Sequence, residues 1–292
     1  MKYRVTHTTR YQYSAPVSHC YNVAHLLPRS TPQQSCTLSE LLISPQPANV
    51  NEWSDLFGNR QMSFAIQQAH KELTVTAISE VEVNPSGTLL ENAFPISWEQ
   101  AVDDLRTGTS EEVIDARQFV IESDFIEFSD EIDTYSRDSF ATDRPLVEAV
   151  EEFMHRIYKE FEYKPGFSNI ATPLEDVLLH RKGVCQDFAH LAIAGLRMRG
   201  IAARYVSGYL ETIPPQGTER LVGADASHAW FSVFVPHQGW VDFDPTNAQM
   251  PAEQHITVAW GRDYADVAPL KGVLFGGGDE HKLTVSVDVK RL

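Results

Sequence analysis

Cysteine is scarce in this sequence. Its 292 residues hold three, Cys20, Cys36 and Cys185, and none belongs to a C-x-x-C. An odd number cannot pair off completely, so a disulfide framework is not what holds the fold. A Cys20–Cys36 bridge is the one pairing to weigh, and two reduced thiols are the expectation; the spacing gives no support for zinc. Basic residues are outnumbered as well: 24 Lys and Arg face 40 Asp and Glu, a formal charge of −16. Such a surface repels phosphate backbones and anionic lipid, so neither nucleic acid nor a membrane is expected as a partner. No run approaches the ~18 consecutive apolar residues of a spanning helix. The opening MKYRVTHTTRYQYS also lacks a signal peptide's apolar core, and the expected location is the cytoplasm.

What is there divides by pattern. In YRVTHTTRYQY, Tyr3, Val5, His7, Thr9 and Tyr11 fall on one face, the period of a half-buried strand. Gly58-Asn59 between apolar runs signals a hairpin, KELTVTAISEVEV reads as another strand, and NPSG at 84–87 breaks the pattern. Residues 1–90 are therefore expected to form a β-sandwich domain. Residues 91–142 read as a connector: SWEQAVDDLR and VIDARQFV as short helices, and ESDFIEFSDEIDTYSRDS as a solvated link.

From Pro145 the apolar residues Leu146, Ala149, Val150, Phe153, Met154, Ile157, Tyr158 and Phe161 follow helical spacing, and that stripe is core. A short helix starts at Thr172-Pro173. A third runs from Val184 to Arg199, apolar on nearly every face, and stops at Gly200. ARYVSGYL, SHAWFSVFV, GWVDFDP and the tail KLTVSVDVKRL read as strands. Residues 143–292 thus form one unit of helices followed by an antiparallel sheet, and the fold class is α+β.

Within RKGVCQDFAHL, Cys185 sits at a helix start. The helix dipole, the free N–H groups of the first turn, and nearby Arg181 and Lys182 all favour thiolate, and the same N–H groups suit an oxyanion. A buried, unreactive cysteine is the competing reading, and it is settled by whether a base is near. His190 is not that base: five residues along a helix turn it about 140° away from Cys185. His180 has no defined relation to the thiol.

His228 begins the strand HAWFSVFV, and Asp244 lies on the returning strand before Pro245. If the turn spans 235–239, residue 234 pairs with 240, and His228 and Asp244 become diagonal neighbours on one face, about 7–8 Å apart at the backbone. A three-residue turn leaves them roughly 13 Å apart along the strand, and a four-residue turn puts them on opposite faces. Asp242 shares the face but sits one step further away. A strand histidine bonded within the sheet and a turn aspartate before proline are the plain alternatives.

Taken together, GVCQDFAHL, ARYVSGYL, SHAWFSVFVPHQGWVDFDPTN and GRDYADVAPLKG resemble bacterial transglutaminase-like proteins of the transglutaminase and papain-like cysteine peptidase superfamily. The beginning, YRVTHTTRYQYSAPVSHCYNVAHLLPR, is similar to the β-rich N-terminal region of the same proteins. The resemblance implies a papain-like core with a central cysteine helix on an antiparallel sheet. It implies a nucleophile at Cys185, a base at His228 and an orienting carboxylate at Asp244, with no metal or organic cofactor. Tyr163 is a candidate second oxyanion donor. The expected substrate is a peptide or protein amide, attacked through a thioester and released to water. Transfer to an amine, as in a protein-glutamine transglutaminase, and a non-catalytic binding protein retaining the fold are the alternatives.

Overall fold

The computed structural model describes residues 1–84, 95–211 and 227–292. Five strands come first: β1 (Lys2–Ala24), β2 (Gln34–Ser44), β3 (Asn49–Ser54), β4 (Arg60–Ile66) and β5 (His70–Val83). Then follow α1 (Trp98–Thr107), α2 (Glu111–Ala116), a 3-10 turn (Arg117–Phe119), α3 (Asp130–Arg137) and α4 (Leu146–Glu160). The short β6 (Glu162–Tyr163), α5 (Leu174–His180) and β7 (Lys182–Gly183) lead into α6 (Cys185–Met198). The chain closes with β8 (Ala203–Leu210), β9 (Ser227–Val235), β10 (Gly239–Phe243), β11 (His255–Gly261), α7 (Tyr264–Val267), β12 (Leu270–Gly276) and β13 (His281–Arg291).

The alternation at the start of the chain becomes β1, with Tyr3, Val5, His7 and Thr9 buried. At 23 residues β1 is long enough to serve two groups of strands. Its first half lies between β5 and β13, and its last residues lie between β4 and β12. The pairing shifts register between Gln12 and Val17, where a bulge lets a strand bend. Tyr13, Val17, Leu73 and Phe64, drawn from both halves, share one apolar cluster. The sandwich expected at 1–90 is thus one sheet folded about β1. Gly58-Asn59 does join a hairpin, β3 to β4, with Ser54 opposite Arg60. The break expected at 84–87 lies beyond Asn84, outside the described residues.

Two expectations need correction. The final strands do not extend the sheet of the second half: β12 and β13 pair with β1, Val289 opposite Val5. The unit expected at 143–292 therefore gives its last two strands to the N-terminal sheet. Period-2 alternation says which face of a strand is buried; it does not say which sheet the strand joins. The acidic stretch before residue 142 is not a solvated link either. Ile126, Ile132 and Tyr135 are buried in the main core, and α3 packs so closely on α6 that a Cβ on Gly195 would meet Ser136 Cβ at 2.8 Å. The charged residues occupy the outer face of α3, where they hide the short apolar stripe from a reading by composition.

α6 is the axis of the second half. It packs against β8 and β9 on one side and is contacted by α3, α4 and α5. Residues Asp187 through Arg197 are all buried, as a helix without a polar face requires. It ends at Gly200, whose φ of +79° suits glycine. β8, β9, β10 and β11 form an antiparallel sheet in the order β10-β9-β8-β11. β11 is its edge, and two buried side chains of the N-terminal half take up the bonds that a neighbouring strand would make there. Gln34 accepts from Thr257 N–H and donates to Thr257 C=O, both at 2.8 Å. Asn59 does the same at Trp260, at 3.0 and 2.7 Å.

Candidate active site

Cys185 is the first residue of α6, half-buried, behind Val184 in extended backbone. The first turn is tied down by Asp187, whose Oδ2 accepts from Val184 N–H at 2.7 Å and from the Ser168 hydroxyl. Burial raises the Asp187 carboxyl above its ordinary value, against those two bonds. β6 pairs in parallel with β7, placing Tyr163 opposite Gly183 two residues before the thiol. Burial, and then the charge of a thiolate at Cys185, raise the Tyr163 phenol. Tyr205, fully buried, is pushed up by the same two causes.

On β9 and β10 the register is the one that brings a His and an Asp together, Phe234 pairing with Trp240. The turn is shorter than the expected 235–239: Val235 also pairs with Gly239, and three residues, 236–238, centred one position earlier than the offset three-residue turn, keep the register. The ladder ends at Phe231–Phe243. Beyond it Asp244 leaves β9, bridges to Gln249, and carries the turn Pro245-Thr246-Asn247. His228 Nε2 donates to Asp244 Oδ2 at 2.7 Å, and both side chains are buried. Asp242 makes no such contact with His228.

Asp244 is fully buried and accepts five hydrogen bonds. Oδ2 takes His228, Asn247 Nδ2 at 2.7 Å and His255 Nε2 at 3.0 Å; Oδ1 takes the N–H groups of Thr246 and Asn247 at 2.9 and 3.2 Å. Burial alone would raise this carboxyl, but the bonds from His228 and His255 hold it well below the usual carboxylate range. For His228, burial alone would lower the ring. The bond to Asp244, the bond with Cys185 and the charges of both outweigh burial and push it up to about 10. Since Nε2 is committed to Asp244, Nδ1 is the ring nitrogen left to face the thiol.

The strands are packed tightly around this point. Gly208 of β8 lies opposite His228. A Cβ on it would fall 2.2 Å from Ile256 O and 2.4 Å from Trp230 Cη2. Trp230 therefore crosses the sheet over a glycine and meets the His255 ring edge-on, centroids 5.1 Å apart.

His228, Asp244 and His255 bring three atoms of metal-binding type, two imidazole nitrogens and a carboxylate oxygen, within 4.8 Å of one another. The 2.7 and 3.0 Å separations are those of N–H···O hydrogen bonds, which use the same Nε2 and Oδ2 atoms that a cation would need.

His190 is elsewhere, as helix geometry required. It is buried, accepts from Tyr264 N–H at 3.2 Å and stacks on Phe125. Burial drives it down to about 3, and the ring is neutral. Cys20 and Cys36 are free thiols on β1 and β2, remote in sequence and element from α6. Two members of the network were not singled out from the sequence. Asn247 stands three residues after Asp244 in a D-P-T-N turn, a spacing at which Asp caps backbone N–H groups. His255 carried no signal, since it reaches Asp244 only through the pairing of β11 with β8.

Residues 3–82 match the bacterial transglutaminase-like N-terminal region, and residues 133–245 match the transglutaminase-like superfamily. An uncharacterized protein of Mycobacterium tuberculosis is 42% identical over 294 residues, covering 99% of this chain and 92% of its own. The chain belongs to the transglutaminase-like superfamily. A crystal structure described as a candidate cysteine protease from Cytophaga hutchinsonii shares the fold, with a TM-score of 0.77 at 24% identity over 99% of this chain and 90% of that one. A protein-glutamine gamma-glutamyltransferase of Pseudomonas aeruginosa is 33% identical over 148 residues, 48% of this chain and 22% of its own length. Among the described residues of this superfamily member, no helix is long and apolar enough to cross a membrane.

Proposed function

We propose that this transglutaminase-like protein is a cysteine-dependent amide or peptide hydrolase, with Cys185 as nucleophile, His228 as base and acid, and Asp244 as the orienting carboxylate. The observation that carries the reading is the buried 2.7 Å bond from His228 Nε2 to Asp244, made by a ring that also interacts with the Cys185 side chain at the start of α6. A ring raised to about 10 beside a cysteine favours the thiolate–imidazolium pair at neutral pH.

The thiolate attacks the amide carbon, and the oxyanion is received by N–H groups of the first turn of α6. The C–N bond then breaks as His228 Nδ1–H protonates the leaving amine, giving a thioester on Cys185. His228, now neutral, takes a proton from water as its oxygen adds to the thioester. The C–S bond breaks, the acid leaves, and the thiolate–imidazolium pair is restored. We assign Tyr163 as the second oxyanion donor; Tyr163→Phe is expected to lower kcat by about tenfold to a hundredfold while alkylation of Cys185, which forms no oxyanion, keeps its rate.

Acyl transfer to an amine is the second reading, favoured by the gamma-glutamyltransferase relative. Incubating the protein with a glutamine-containing protein and a labelled primary amine separates the two. Acid product without incorporated label supports hydrolysis; label in the product overturns it in favour of transfer. Cys185→Ala, folded and inactive in both assays, is the expected control, and a fully active Cys185→Ala refutes both readings.

A further inference from the structure

β11 begins at His255, opposite Leu210 of β8, and the residue is only 5% exposed. Its Nε2 reaches the same oxygen of Asp244 that holds His228. An ionised carboxylate only accepts, so both rings present Nε2–H to it. The Trp230 edge, which Gly208 admits, sets the plane of the His255 ring. Two residues along β11, Thr257 is fixed by both ends of the Gln34 amide, and Gln34 in turn donates to Arg29 C=O at 2.7 Å. A path of direct contacts thus joins the N-terminal sheet to the carboxylate: Gln34, β11, His255, Asp244.

We infer that His255 is a positioning residue for the Cys185–His228–Asp244 set, and that the N-terminal half sets its place through Gln34. The inference rests on the triad reading above. The turn fixes Oδ1, but a buried carboxylate with fewer donors takes up a proton more readily and ceases to be an acceptor. Donation by His255 opposes this, because it favours the anion at the oxygen that holds His228. The titratable groups around Asp244 are His228 from β9 and His255 from β11; Cys185 from α6 acts through His228, and Asp242 lies two residues back on the same face of β10. When Asp244 is protonated, the imidazolium loses its partner and the thiolate reverts to thiol. His255 therefore extends the pH range of the reactive pair downward.

The test is alkylation of Cys185 by iodoacetamide from pH 4 to 9 in the full chain, read by peptide mass, with folding followed by thermal melting. A glutamine side chain can place an N–H where His Nε2 stands, so His255→Gln should hold the wild-type profile. His255→Leu should move the acid limb up by about one pH unit or more, slowing alkylation at pH 6 about tenfold. Gln34→Leu, which leaves His255 and the triad chemically intact, should move the limb in the same direction by less. A folded His255→Leu with the wild-type limb overturns the inference, as does His255→Gln as impaired as His255→Leu. If His255→Leu fails to fold, an unshifted Gln34→Leu overturns it. A wild-type Cys185 that reacts no faster than a free thiol removes the triad reading itself, which separates the two failures.

Discussion

His228 Nε2 lies 2.7 Å from Asp244 Oδ2, just past the last rung of the β9–β10 ladder, where Asp244 has already turned away to bridge Gln249. Asp244 is at once the residue that opens a turn before proline and the hydrogen-bond partner of His228. Oδ1 holds the Pro245-Thr246-Asn247 turn by accepting two backbone N–H groups, and Oδ2 is left to the side chains. The turn is thus what immobilises the carboxylate beside His228, and the economy is geometric: one buried side chain, two oxygens, two tasks.

The proposed pairing sets Cys185 apart from the other thiols: beside a His228 ring pushed up to about 10, it should be alkylated readily at pH 6. Cys20 is buried beneath β1 and its neighbours, and burial raises Cys36; both should react at least about tenfold more slowly at pH 6. Peptide mass mapping after a short iodoacetamide pulse measures all three at once. Equal labelling at pH 6 would contradict the assignment of Cys185.

His190 offers the opposite expectation. It lies on α6 with Cys185, but its Nε2 is spent on Tyr264 N–H and its ring on Phe125. His190→Leu leaves that N–H unpaired in the core, a cost of about 1–3 kcal/mol, without touching the pH profile of Cys185 alkylation. Melting and alkylation on the same preparation check both halves. A shifted alkylation limb in a folded His190→Leu would show that helix geometry misjudged this residue.

The sequence carried more of the local geometry than of the assembly. The helix start at Cys185 follows from spacing, because a helix turn is a short-range object; the hairpin leaves three turn lengths open, and the 234–240 register is the one that a His228–Asp244 pair requires. The partner of KLTVSVDVKRL was not legible: Val287 and Val289 must be buried, but β1 lies more than two hundred residues away and nothing in the alternation points to it. The 122–139 segment reads as a solvated link because Ile126, Ile132 and Tyr135 are outnumbered by carboxylates that simply face outward. His255 was invisible for the first of these reasons. Its role exists only once β11 is laid beside β8 and clamped by Gln34.

Gly208 is the tightest of these contacts to break. Its Cβ position coincides with the Ile256 carbonyl and the Trp230 ring, neither of which can swing aside without moving β11 or the His255 ring plane. Gly208→Ala should therefore cost about 1–3 kcal/mol in stability and also slow Cys185 alkylation at pH 6, since the displaced strand carries the donor to Asp244. Loss of stability with an unaltered alkylation rate would show that the crossing of Trp230 matters to the fold alone.

The pH dependence of stability tests the His228–Asp244 pair without any substrate. Asp244 is held below its ordinary 3.8, so its contribution is present above that value and is lost as pH falls through the lower, folded one. His228 is raised from 6.5 to about 10, so its contribution is full below 6.5 and fades as pH rises through about 10. The two overlap fully between about pH 4 and 6.5. Asp244→Asn keeps the shape but removes the charge and one of the two acceptor oxygens, at a cost of about 3 kcal/mol inside that window. The gap in Tm between wild type and Asp244→Asn should be widest there, narrow steadily toward pH 10, and close in strong acid. A gap that stayed constant from pH 5 to 10 would mean that His228 is neutral in the folded protein, and the thiolate–imidazolium pair would have to be abandoned in favour of a neutral thiol and a general base.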